Sequence, residues 1–143
     1  MNNIQIITPK LFDLDTLVAW GNAAPELKAS QDDEWYSKKG LTKWLKHPGK
    51  DILLVAKVDG KLAGMCVAMV FHEWAYCSTL YVHAPFRKMG IGRKLTDAAY
   101  KRIQKLGIGY FALLVNEKNL PTISFYKKLG FKEGYRHVWM YKK

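Results

Sequence analysis

The chain has 143 residues, 49% of them hydrophobic, two cysteines and a formal net charge of +11. That length suits one domain built on one core, so residues 1–143 are read as a single domain with little room for a second. There is no repeat, low-complexity run or Pro/Ser linker, and the basic residues are spread along the chain rather than gathered in a tail. The charge therefore points to an acidic partner such as a phosphorylated cofactor, and a dedicated nucleic-acid module is not expected.

The first residues, Met1-Asn2-Asn3-Ile4, lack the charged-then-apolar pattern of a signal peptide, and the longest apolar run, Ala63 to Phe71, is too short to span a bilayer. A soluble cytoplasmic protein with no membrane partner is expected. Cys66 and Cys77 sit in apolar strand-like contexts without CxxC spacing or a matching His pair, which predicts reduced core thiols and no metal site.

In chain order, Ile4, Ile6 and Ile7 predict a short strand. After Thr8-Pro9, Leu11, Leu14, Leu17 and Val18 recur at helical spacing. A second helix is expected from about Asp32-Asp33-Glu34, carrying Trp35, Leu41, Trp44 and Leu45 and ending at His47-Pro48-Gly49. Two β-branched runs, Asp51 to Val58 and Lys61 to Phe71, flank Asp59-Gly60, a strong hairpin signal, and Tyr76 to His83 predicts a third antiparallel strand. The period then becomes helical from Ile91 to Leu106, with Leu95, Ala98, Ala99 and Ile103 on one face and Gly107 as the stop. Tyr110 to Val115 reads as a strand, Asn119-Leu120-Pro121 opens a short helix, and Phe131 to Tyr135 and His137 to Tyr141 read as terminal strands. A strand, helix, strand crossover within otherwise antiparallel pairing predicts a mixed α/β (α+β) fold.

Between a strand and a helix lies Arg87-Lys88-Met89-Gly90-Ile91-Gly92, with Arg93 and Lys94 following. A glycine loop at a helix start gathers backbone N–H groups and the positive end of the helix dipole, which makes an anion site; the same glycines also suit an ordinary strand-to-helix turn. The dinucleotide fingerprint fails because Leu95 stands at its third glycine, and P-loop spacing is absent. His72-Glu73 is followed by Tyr76 where a zinc protease needs its second His, and no GxSxG occurs.

What remains is RxxGxG after a strand, then an Asn and a Tyr seven residues apart on the later helix, Asn119 and Tyr126. The blocks Leu80 to Gly92 and Val115 to Phe131 together resemble the GCN5-related N-acetyltransferase family, the second block being most similar to diamine and small-amine acetyltransferases. The resemblance implies a mostly antiparallel sheet with helices on both faces and a splayed strand pair that admits acetyl-coenzyme A. Backbone N–H groups of Lys88, Met89, Gly90, Ile91, Gly92 and Arg93 would hold the pyrophosphate, with Arg87 as a nearby cation. Leu80, Tyr81 and Val82 would lie along the pantetheine arm, and an N–H of that segment would stabilise the oxyanion. Asn119 would bond the pantetheine or order the helix start. Tyr126 would be the general acid for the thiolate, a transfer from a group of pKa about 10 to one of about 8.5 that is feasible although not downhill.

The resemblance leaves the general base open. Relatives place a Glu or His on the fourth strand, where this chain has Tyr76 and Ser78. Tyr76 matches a tyrosine that one protein N-terminal acetyltransferase uses with a histidine on the next strand, but Leu114 stands in the partner's place. Either water relays the proton through Tyr76 and Glu73, or the amine arrives neutral. Acceptor recognition falls to the first half, where Glu26, Asp32, Asp33 and Glu34 either draw in a cationic amine or serve as first-turn acids of a helix. The expected activity is acetyl transfer to a small-molecule or peptide amine; the alternative is a non-catalytic coenzyme A sensor or scaffold. Tyr135, Trp139 and Tyr141 suggest either a homodimer edge or the outer face of the sheet.

Overall fold

The computed structural model describes residues 2–143; Met1, the first residue of the amino-terminal stretch considered above, lies outside them. Five strands form one sheet in sequence order, β1 (Ile4–Ile7), β2 (Ile52–Val58), β3 (Lys61–Val70), β4 (Ala75–Val82) and β5 (Phe111–Leu113). All neighbours are antiparallel except β4 and β5, which are parallel and joined through α3 (Ile91–Lys105). The helices α1 (Leu14–Ala23), α2 (Lys38–Lys46) and α4 (Leu120–Lys128) complete the mixed α/β architecture.

Both faces of the sheet are covered, which is why every residue of β2 is buried rather than only alternate ones. On one face Leu54, Ala56, Cys66 and Ala68 meet Ile91, Leu95, Ala99 and Ile103 of α3. On the other, Leu53, Val55, Met65 and Val67 meet Leu14 and Leu17 of α1 and Leu41 of α2. At the rim of that second face Lys57, 8% exposed, reaches Asp13, 3% exposed, at 3.2 Å. Asp13 also accepts the Lys10 N–H, so the buried carboxylate is doubly satisfied. The Asp59-Gly60 hairpin forms as expected, both residues having positive φ (50° and 83°) between the paired Val58 and Lys61.

Two expectations fail. The second helix does not begin at Asp32: residues 28–37 are irregular, and α2 starts at Lys38 with the Ser37 hydroxyl accepting the Gly40 N–H at 3.0 Å. Asp33 instead closes a local turn by accepting the Ala29 N–H at 3.0 Å, and the chain beyond it has no helical structure until Lys38. That lets Trp35 Nε1 donate to Thr79 Oγ1 at 2.9 Å and puts the Tyr36 hydroxyl 2.9 Å from Ser78 Oγ, bonds to β4 that a helix would forfeit. The acids thus precede the helix rather than fill its first turn.

The terminal strands also fail to form: residues 131–143 have no regular structure, and Tyr135, Val138 and Met140 are 94%, 84% and 86% exposed. Strand propensity needs an edge to pair with. Here Phe131 packs against Tyr126 and Phe111, Arg136 is drawn to Glu117 and Glu133, and the Tyr141 hydroxyl donates to Asp32.

Trp35 crosses α1 at Gly21, where a Cβ would overlap the indole ring. Alanine in a helix interior ordinarily gains about 1 kcal/mol over glycine. At this position the overlap outweighs that gain, because Trp35 is pinned by its bond to Thr79. Gly21→Ala is expected to lose about 1–3 kcal/mol net, read as a lower Tm by thermal denaturation.

Candidate active site

β4 is paired with β5 over only three steps, Ala75↔Phe111, Tyr76↔Ala112 and Cys77↔Leu113, and beyond Cys77 the two strands part. At the same point β4 carries a bulge: Val67 faces Thr79 but Ala68 faces Cys77, so Ser78 is the extra residue. The open edge beyond it can be oriented from the other side of the strand. His83 N–H donates to Ala63 C=O, which makes His83 and, two residues back, Tyr81 the residues that bond to β3. Leu80 and Val82 therefore point their N–H and C=O groups into the slot. Tyr81 faces the other way, and its ring lies against Trp20 of α1 at 5.3 Å. Of the three residues expected to line the pantetheine arm, Leu80 and Val82 present backbone to it and Tyr81 does not.

The slot leads to the glycine loop. Lys88 (φ 64°) and Gly90 (φ 76°) are left-handed, which turns successive N–H groups toward one concavity. The first bond into α3 is Lys94 N–H to Gly90 C=O, and no partner within the described residues accepts from the N–H groups of Lys88 to Arg93. These are the groups expected to hold a pyrophosphate. The glycines, however, do different work from one another. Gly90 supplies the left-handed turn and has open space around it. Gly92 is needed for packing, since a Cβ there would stand 3.1 Å from Phe125 Cζ of α4. Arg87 is exposed and turns back, its Nε donating to Val82 C=O at 2.9 Å.

Asn119 caps α4, its side-chain oxygen accepting the Thr122 N–H at 3.3 Å, so it orders the helix that carries Tyr126. Tyr126 lies on the α3 side of the sheet, its ring against Phe125 (5.2 Å) and Phe131 (5.4 Å). Burial pushes its phenol far above the ordinary tyrosine value, and the nearby Cys77 and Cys66 thiols add to the shift. It is held as a neutral O–H donor. Those two cysteines are free and buried with sulfurs 3.9 Å apart; the contact with Cys77 and burial push the Cys66 thiol up, as expected of inert core thiols.

Tyr76 faces the α2 side with its ring near Trp74 (6.4 Å), and burial raises its phenol as well. Glu73 is exposed in the β3–β4 turn, and Leu114 is exposed just past β5. Among the described residues no group of His, Cys, Asp and Glu is arranged to hold a metal, and no helix is long and apolar enough to cross a membrane. Sequence reasoning missed Tyr36, whose hydroxyl meets Ser78 at the bulge. No spacing in the chain signals a contact between residues 42 apart.

Set beside known proteins, the site acquires a lineage. A profile of the Acetyltransferase (GNAT) family matches residues 14–131, and the chain belongs to that family. It is 32% identical over 113 residues to an uncharacterized N-acetyltransferase of Methanocaldococcus jannaschii, covering 71% of this chain and 50% of that one. To the ribosomal protein bS18-alanine N-acetyltransferase of Escherichia coli it is 28% identical over 76 residues, covering 53% and 51%. The chain thus spans about half the length of the curated relatives it matches. Its fold is similar to that of the PaiA N-acetyltransferase of Thermoplasma acidophilum solved in complex with coenzyme A, with a TM-score of 0.78 and 27% identity over 95% of this chain and 94% of that one.

Two outcomes follow. Lys88 holds a conformation that favours glycine, so Lys88→Gly is expected to keep or raise the Tm of the free protein while weakening acetyl-coenzyme A binding, measured by calorimetric titration. The second concerns pH. Tyr36, Tyr76 and Tyr126 all have raised folded-state values, each chiefly through burial. Their contribution to stability is complete below the unfolded value of about 10 and is lost as pH rises above it. Urea midpoints are expected to fall above pH 10, and less steeply in Tyr126→Phe.

Proposed function

We propose that this chain is a cytoplasmic acetyl-CoA-dependent N-acetyltransferase that transfers the acetyl group directly to a primary amine, either a small polyamine-like amine or a peptide or protein amine. The observation that carries this reading is the continuity of the slot. Backbone donors at the Lys88 to Arg93 loop lie at one end, the Leu80 and Val82 edge runs between, and Tyr126 lies near the apex marked by Cys77.

In this reading the pyrophosphate takes the loop N–H groups and the pantetheine amides pair with the free edge of β4 as an added strand. The amine nitrogen attacks the thioester carbon; a C–N bond forms, the C–S bond breaks, and the Leu80 N–H stabilises the oxyanion between the two events. The nitrogen gives up one proton and the departing sulfur gains one. Tyr126 is the acid on the sulfur side. Its phenol is a weaker acid than the thiol that would form, so it first acts as a hydrogen-bond donor, and full transfer relies on the sulfur being desolvated in the same slot. On the amine side, Tyr76 and water leading to Glu73 form the route for the surplus proton. The acidic residues near this face, Asp32, Asp33 and Glu34, favour a cationic acceptor approaching from solvent.

The relatives lend no support to the non-catalytic alternative. The exposed carboxy-terminal aromatics, Tyr135, Trp139 and Tyr141, fit a homodimer contact. The decisive test combines binding and turnover. Acetyl-coenzyme A is expected to raise the Tm saturably, and a thiol-release screen over small amines, amino acids, polyamines and peptides to find acceptors. Tyr126→Phe should bind the cofactor normally and lose about 10²-fold in kcat. Turnover equal to wild type would remove Tyr126 from the acid role, and a Tm insensitive to acetyl-coenzyme A would remove the reading itself.

A further inference from the structure

The mechanism above leaves one arrangement unused. Trp35 and Tyr36 reach from the segment before α2 to two consecutive residues of β4, Thr79 and Ser78. Consecutive residues of a strand ordinarily face opposite sides of the sheet; the bulge at Ser78 turns both toward α2. Ser78 is also the first residue past the last β4–β5 pair, so its hydroxyl lies at the mouth of the slot on the face opposite Tyr126. The Tyr36 ring is wedged edge-on against Trp35 (5.2 Å) and Trp44 (5.6 Å), which fixes where its oxygen sits.

The two hydroxyls have one hydrogen each. Ser78 Oγ has the Val67 carbonyl as a second, longer partner at 3.5 Å, and either hydroxyl can donate in the 2.9 Å bond between them. A phenol oxygen has two lone pairs, so in either direction Tyr36 keeps at least one free to accept. A free lone pair suits an N–H group. The Asp33 carboxylate is close enough for its charge to be felt at both the Tyr36 and Tyr76 hydroxyls, which makes the surroundings favourable to a cation.

We propose that Tyr36, oriented by Ser78, is the subsite for the acceptor nitrogen: its oxygen accepts a hydrogen bond from the amine N–H and holds the nitrogen lone pair toward the thioester. This rests on the acetyltransferase reading. Ser78 is a positioning residue here, and it acts through Tyr36 rather than on the substrate. Because the contact is to the nitrogen that every acceptor shares, it sets reactivity rather than the choice of side chain.

Tyr36→Phe keeps the ring packing and removes only the oxygen. Thiol release is measured with acetyl-coenzyme A and three probes: n-propylamine, spermidine and a tetrapeptide with amino-terminal alanine. The variant is expected to keep its Tm and its affinity for acetyl-coenzyme A. Its kcat/KM should fall about three- to tenfold, by the same factor for every probe the wild type acetylates, as for loss of one neutral hydrogen bond. Ser78→Ala should lose a similar factor, and the double variant no more than Tyr36→Phe alone. Unchanged kcat/KM in Tyr36→Phe, a factor that differs between probes, or additive losses in the double variant would each overturn the proposal while leaving the activity in place. A wild-type protein that binds acetyl-coenzyme A yet acetylates none of the amines screened would overturn both.

Discussion

The structure depends on how briefly β4 and β5 stay together. A parallel pair that continued for the full eight residues of β4 would satisfy every backbone group on that edge and close the sheet. Pairing stops after Cys77↔Leu113 instead, at the place where the bulge adds Ser78. The backbone groups of Leu80 and Val82, of which only the Val82 carbonyl is held by Arg87, are thereby left as an edge for a ligand backbone. Strand edges ordinarily invite association, and here the exposed stretch is short and leads straight into a charged loop.

The same point in β4 divides the chemistry between the two faces. Cys77 turns toward α3 and α4, where the half-buried Tyr126 packs against Phe125 and Phe131. Ser78 and Thr79 turn toward the segment before α2. In the proposed mechanism, proton donation to a leaving sulfur and reception of a nucleophile fall on opposite sides of one strand, separated by the thickness of the sheet rather than by distance along the chain. The buried Lys57–Asp13 pair ties the start of α1 to β2, and Trp35, packed across Gly21 and bonded to Thr79, ties α1 to β4.

The sequence made some of this legible because certain conformations admit few residues. The Asp59-Gly60 turn and the Gly90 turn need left-handed backbone, and both were readable; so was Asn119-Leu120-Pro121 as a helix start. Gly92 was visible as a glycine, but its reason was not, since the Phe125 ring that requires it lies 33 residues away in the chain. The segment 28–37 defeated periodicity because tertiary hydrogen bonds from Trp35 and Tyr36 decide its shape. The carboxy-terminal run has the alternation of a strand and no edge of the sheet paired to it, so composition alone overstated it.

Arg87 adds a further consequence. Its Nε already holds the Val82 carbonyl, one of the acceptors on the open edge. A ligand that lays an amide N–H against Val82 meets a carbonyl that already holds one donor, and sharing or exchanging it adds less than a bond to an unpartnered acceptor would. Arg87 thereby ties the open edge of β4 to the start of the glycine loop.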